Sequence, residues 1–116
     1  MIDKSCLFCK IINKEIPTSF IYENDLVVAF NDISPQAPKH ILIIPKVHIA
    51  TLNDLNDDQT IITGEMVKAS KEIARKQNFD QKGYRTVFNC NKDAGQTVFH
   101  IHLHLLAGRL FQWPPG

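Results

Sequence analysis

The chain has 116 residues, 44% hydrophobic and 22% charged, with a formal net charge of +1 at pH 7. That suits a single soluble domain over 1–116 and gives no electrostatic footprint for nucleic acid or an anionic membrane. The apolar run HILIIP at 40–45 is far too short to span a bilayer. The N-terminal MIDKSCLFCK lacks the long apolar region of a signal peptide, and three cysteines, an odd number, describe no disulfide framework. A cytoplasmic location is the simpler inference.

Residues 5–13, SCLFCKIIN, predict a short helix with Ser5 as N-cap and Leu7, Phe8, Ile11 and Ile12 on its apolar side. Ile16-Pro17-Thr18 ends it. FIYE at 20–23 and LVVAF at 26–30 are β-branched and aromatic, and Asn24-Asp25 between them signals a hairpin. DISPQAPK at 32–39 is a turn-rich loop with two prolines, and the continuous run HILIIP predicts a central strand. A long helix lies within 57–77. Asn56 or Asp57 caps it, acids crowd its first turn, and Ile62, Met66, Ala69, Ile73 and Ala74 form its apolar stripe. Gly64 is the one weak point within it. YRTVFN at 84–89 is a further strand, with Cys90 as filler beside it, and NKDAGQ at 91–96 is a tight loop. The last strand is TVFHIHLHLLAGR. The order predicts an α+β domain: a five-stranded, mostly antiparallel sheet, one long helix and one short, the helices gathered to one side.

Three of the five histidines fall at every second position, His100, His102 and His104. Alternate residues of a strand share a face, so the imidazoles form a row and Ile101, Leu103 and Leu105 pack opposite. A single strand histidine is ordinarily a surface or core residue. Three on one face are better explained by metal binding or by catalysis near neutral pH. The flanks favour catalysis. Asn89, Gly95, Gln96 and Thr97 supply small polar donors and a flexible backbone suited to an oxyanion such as phosphate. One histidine then serves as nucleophile, a second moves the leaving-group proton, and a third group fixes the nucleophile's tautomer.

The segment HIHLHLL at 100–106 resembles the signature of the histidine triad nucleotide-binding family. CKIINKEIP at 9–17, AFNDISPQAPKHILIIPKVHI at 29–49, NKDAGQTVFHIHLHLLAGR at 91–109 and the terminal WPPG are similar to its Hint branch. The resemblance implies a homodimer whose sheets join into one, and activity as a purine nucleoside phosphoramidase. Such an enzyme cleaves the P–N bond of adenosine 5′-phosphoramidates through a nucleotidyl-histidine and releases AMP. On this resemblance His102 is the nucleophile, His104 contacts phosphate and leaving group, and His100 and His40 support them. Asn89, Gln96 and Thr97 fall on the phosphate side, with Thr97 where related proteins often carry serine. Asp32 takes the ribose hydroxyls. Phe8, Ile11, Phe30, Ile33 and Leu42 line the base slot, residues that periodicity alone assigns to the core. Trp113 reaches the partner subunit's site.

Cys6-Leu7-Phe8-Cys9 is a C-x-x-C, which by itself is ambiguous between redox chemistry, metal binding and accident. Redox use needs a βαβ context that the element order does not supply. The best-known Hint proteins lack the pair. Bacterial-type members that carry it resemble zinc proteins, which implies one structural zinc per subunit on Cys6, Cys9, His48 and His100. Three alternatives to the phosphoramidase remain at this point. One is a dinucleoside polyphosphate hydrolase, a branch that tends to carry glutamine where this chain has His104. The others are a nucleotide-binding regulatory module with incidental catalysis, and a metal-binding protein using the whole row.

Overall fold

The computed structural model describes residues 3–116. Two helices and five strands occur along it: α1 (Leu7–Ile12), β1 (Tyr22–Glu23), β2 (Val27–Asn31), β3 (Lys39–Pro45), α2 (Thr60–Lys76), β4 (Tyr84–Phe88) and β5 (Leu103–Ala107). The strands form one sheet in the order β1-β2-β3-β5-β4, and every neighbouring pair is antiparallel. Among the described residues no helix is long and apolar enough to cross a membrane.

The β2 and β3 sequences explain the architecture. Both are apolar at consecutive positions, so both faces need cover. Val27, Ala29, Ile41 and Ile43 join Met66, Ala69, Ile73 and Ala74 of α2 in one core. Val28, Phe30, Leu42 and Ile44 join Cys6, Phe8, Cys9 and Ile11 around α1 in a second core. The helices therefore lie on opposite faces, not on one side as expected. The expectation followed the layering rule for antiparallel sheets and passed over the absence of polar alternation in HILIIP.

Local boundaries shift for identifiable reasons. The N-cap of α1 is Cys6 and not Ser5: the Cys6 sulfur accepts from the Cys9 N–H, while Ser5 donates to Asp3. Leu7 faces solvent, and Cys9 is buried in its place. The β1–β2 connection is wider than a two-residue turn, because Glu23 pairs with Val28. The Asn24 side chain closes it by accepting from the Leu26 and Val27 N–H groups. Asn56 and Gln59 make a capping box that heads a 3-10 turn over Asp57–Gln59, so α2 begins at Thr60.

The histidine row is only partly strand. The β3–β5 ladder stops at the pair Ile43–Leu103. Further along lies Pro45, which has no N–H to offer. Ile101 instead donates to the Ile49 carbonyl at 2.7 Å. His100 and His102 thus precede β5, and His104 alone lies within it. The alternation of faces continues regardless. Ile101, Leu103 and Leu105 sit in the α2 core. The rings of His100 and His102 meet the Phe8 ring edge to face, at centroid distances of 5.8 and 5.2 Å.

Candidate active site

Backbone groups decide which nitrogen of each imidazole carries its proton. Nδ1 of His102 lies 2.8 Å from the His100 carbonyl oxygen. A carbonyl only accepts, so Nδ1 is the protonated nitrogen and Nε2 holds the lone pair. His102 is buried at 8% exposure. Burial, the largest effect, holds its pKa below the ordinary imidazole value of 6.5. The site therefore presents a neutral, unprotonated Nε2 at neutral pH.

A second chain of bonds runs through His40. The Gln36 N–H donates to His40 Nδ1 at 2.9 Å. His40 must then be protonated on Nε2, which donates to His104 Nδ1 at 2.9 Å. That leaves the His104 proton on Nε2, without a hydrogen-bond partner among the described residues. The His104 ring stands 4.9 Å from that of His102, centroid to centroid. Burial and then the neighbouring His102 and His40 push His104 down to about 4. Burial also lowers His40, against the pull of Asp32, whose Oδ2 is 3.4 Å from His40 Nε2. Ligand atoms of Asp32, His40 and His104 converge within 4.8 Å, but here they are spent on one another.

The remaining histidine faces the cysteines. His100 Nε2 donates to the Pro45 carbonyl at 2.8 Å, so its Nδ1 lone pair points the other way. It lies 3.3 Å from Cys6 Sγ, 3.6 Å from Cys9 Sγ and 3.2 Å from His48 Nδ1. Cys9 Sγ is 3.4 Å from His48 Nδ1. Tetrahedral bonding at zinc lengths places S and N ligands about 3.5 Å apart and two N ligands about 3.3 Å apart. The four side chains fit a metal ion in their donor set and their spacing alike. Asp3 Oδ2 lies 3.8 Å from His48 Nε2, on the side away from the cluster, where a carboxylate orients a ligating imidazole. Burial pushes the Cys9 thiol up, the opposite of what a bound cation does to a ligating sulfur.

The other expected site residues divide into groups. Phe8, Ile11, Phe30 and Leu42 are buried in the α1 core, while Ile33 is 99% exposed on the loop after β2. Asp32 begins that loop and accepts the Ser34 N–H on Oδ1 at 2.8 Å. Gln96 is not a free phosphate donor. Its amide donates to the Ala50 and Val98 carbonyls and accepts the Asn91 N–H, so it holds the 91–98 loop together. Thr97 is exposed and lines a cavity of about 290 Å³ beside Asp3, Cys6 and His48, on the cysteine side of the row. Asn89 is half-buried just past β4, as is Cys90. Trp113 is 81% exposed, with the Arg85 guanidinium 5.9 Å from its ring. Sequence reasoning left Gln36 unremarked within a turn-rich loop. Its contribution is a main-chain N–H, which no side-chain pattern marks.

Residues 5–111 match the family model described as "Scavenger mRNA decapping enzyme C-term binding". The chain is 48% identical over 103 residues to the purine nucleoside phosphoramidase of Escherichia coli (strain K12), covering 89% of this chain and 87% of that protein. Its fold is similar to a HIT family hydrolase from Legionella pneumophila Philadelphia 1, with a TM-score of 0.92 and 52% identity over 96% of this chain and 99% of that one. It is similar also to a histidine triad protein from Clostridium difficile, with a TM-score of 0.93 and 45% identity over 97% of each chain.

Proposed function

The chain belongs to the histidine triad family as one of its hydrolases, and on that premise we propose that it is a purine nucleoside phosphoramidase. The 48% identity to an enzyme of that name supports the reading. The observation that carries it is the His102 Nδ1–His100 carbonyl bond of 2.8 Å, which frees Nε2 for attack.

In this reading Nε2 of His102 attacks the phosphorus of an adenosine 5′-phosphoramidate. The P–N bond breaks, its electron pair goes to nitrogen, and the nitrogen departs as the amine after taking a proton from solvent. The His104 Nε2–H donates to the phosphoryl oxygens and the leaving nitrogen as charge gathers there. Water then attacks the nucleotidyl-histidine and gives its proton to solvent, His102 leaves through Nε2 as the neutral imidazole, and the nucleoside monophosphate is released. Asp32 receives the ribose hydroxyls. Phe8, Ile11, Phe30, Ile33 and Leu42 take the purine. Asn89 and Thr97 serve the phosphate side, with Gln96 acting through the loop it braces.

Cys6, Cys9, His48 and His100 would hold one zinc per subunit. The metal supplies a cross-link between α1 and the start of the catalytic segment and takes no step in the reaction. The working form is a cytoplasmic homodimer whose sheet continues across the two subunits.

Turnover of adenosine 5′-phosphoramidate tests the proposal. Wild-type protein should release AMP, and His102→Ala should lose at least about a thousandfold in kcat. Denatured wild-type enzyme quenched during turnover should carry a nucleotidyl group on His102. Turnover retained in His102→Ala would rule the mechanism out.

A further inference from the structure

Arg109 lies outside the row, yet it is tied to it. Its Nε and Nη2 both donate to the Gln36 carbonyl, at 3.3 and 3.1 Å. Its third nitrogen, Nη1, donates to the Leu110 carbonyl. The guanidinium lies 4.3 Å from the Phe111 ring centroid, a stacking that holds its plane in place. Among the described residues no carboxylate pairs with it. An arginine that spends a forked pair of donors on a single main-chain carbonyl is fixing a loop.

The loop it fixes is the one that assigns protons. Gln36 stands between Pro35 and Pro38, which restrict the chain on either side. Its carbonyl is held by Arg109, and its N–H donates to His40 Nδ1 at 2.9 Å. A second contact docks the same loop next door. Gly108, at φ +98, lets Pro38 approach so closely that a Cβ on residue 108 would lie 2.7 Å from Pro38 Cβ. Residues 108 and 109, just past β5, therefore clamp the loop twice.

We propose that Arg109 is a positioning residue: by holding the Gln36 main chain it keeps that N–H on His40 Nδ1, and so keeps the His104 proton on Nε2. The chain is Arg109 to the Gln36 carbonyl, the Gln36 N–H to His40, and His40 Nε2–H to His104 Nδ1. If the Gln36 N–H moves off, only Asp32 Oδ2, 3.4 Å from Nε2, still favours the proton there, and His40 gains the option of carrying it on Nδ1. In that form its Nε2 becomes an acceptor, His104 turns to the Nδ1–H tautomer, and the N–H facing the leaving group is lost. The value of that N–H rests on the phosphoramidase reading, whereas the tautomer control itself does not. A catalytic imidazole in the wrong tautomer costs up to about 10⁴ in kcat. A loop that is loosened but not removed should cost less.

The experiment uses 15N-labelled full-length protein and reads ring nitrogens and turnover together. In the wild type His40 and His104 should each show an unprotonated Nδ1 and a protonated Nε2. In Arg109→Ala a second tautomer of both rings should appear. kcat on adenosine 5′-phosphoramidate should fall about tenfold to a hundredfold, with KM within about twofold. Arg109→Lys, which has no fork, should lie between. Gly108→Ala should produce the same tautomer change by pushing on Pro38, and it serves if Arg109→Ala fails to fold. Retention of the single wild-type tautomer in folded Arg109→Ala and Gly108→Ala overturns the proposal. So does a change confined to KM, which would mean that Arg109 touches substrate. Wild-type protein without turnover would sink the phosphoramidase reading and leave the ring tautomers to decide this one.

Discussion

Four histidines occupy adjoining positions; main-chain atoms set the proton positions of three, and the His40 ring sets that of His104. His100 and His102 each donate a hydrogen bond to a carbonyl, and His40 accepts one from an amide N–H. Unprotonated lone pairs result at His102 Nε2 and His100 Nδ1, the second facing the cysteines. Burying imidazoles in this way has a consequence for pH. His104 sits at about 4 in the folded protein, against about 6.5 in an unfolded chain. Between those values the unfolded chain binds more protons than the folded one, so stability rises with pH there. It is intact above about 6.5 and is lost as pH falls toward about 4. His40 and His102 are lowered too and act in the same direction. Urea midpoints should therefore drop steeply between pH 7 and pH 5 in the wild type, and less steeply in His104→Gln. Parallel slopes for the two proteins would show that His104 is not the group responsible. The sequence marked all these rings by spacing and resemblance. It did not mark the partners that divide their roles, because Pro45, Gln36 and the His100 carbonyl act through the main chain.

At the scale of elements, α1 is the piece most closely tied to the Cys/His cluster. It has six residues, too short to stand alone, and it covers its face of the sheet with Phe8, Cys9 and Ile11. Zinc on Cys6, Cys9, His48 and His100 would bind it to the segment carrying His102, since the His100 carbonyl also holds His102. Chelation should then lower the melting temperature and make Cys6 and Cys9 reactive to a thiol reagent. Cys9→Ser should lose bound zinc measured by elemental analysis. Met66→Ala is the control. Met66 is fully buried on the sheet-facing side of α2, so its truncation should cost about 2–5 kcal/mol and leave the zinc content unchanged. Full zinc retained in Cys9→Ser would refute the assignment. Element order, sheet class and the span of α2 were legible because periods of two and of about 3.6 residues are strong there. The placement of α1 on the far face was not. It follows from β2 and β3 being apolar on both faces, which the consecutive apolar residues of LVVAF and HILIIP carry but which the layering rule for antiparallel sheets outweighed.

For the whole molecule the feature that matters is the sheet edge at β4. β4 pairs with β5 alone and ends the sheet, and its other side presents unpaired main-chain groups. Tyr84, Leu110 and Trp113 are exposed near it. A dimer that continues the sheet through such an edge satisfies those groups, and twofold symmetry then applies to the tail as well. If Trp113 serves the neighbouring subunit's site, each site is built from two chains. This has a consequence that a self-contained subunit lacks. In a mixed dimer of His102→Ala and Trp113→Ala, one site carries both defects and the other carries neither. Two weakened homodimers, dissociated and reassociated in equal amounts, should therefore regain roughly a quarter of wild-type activity by random pairing. Half of the dimers are mixed, and each of those has one intact site. Sedimentation at rising concentration should show the dimer that makes the exchange possible. Activity that stays at the average of the two parents after verified exchange would place Trp113 at its own subunit's site. A monomer at all concentrations would remove the shared site altogether.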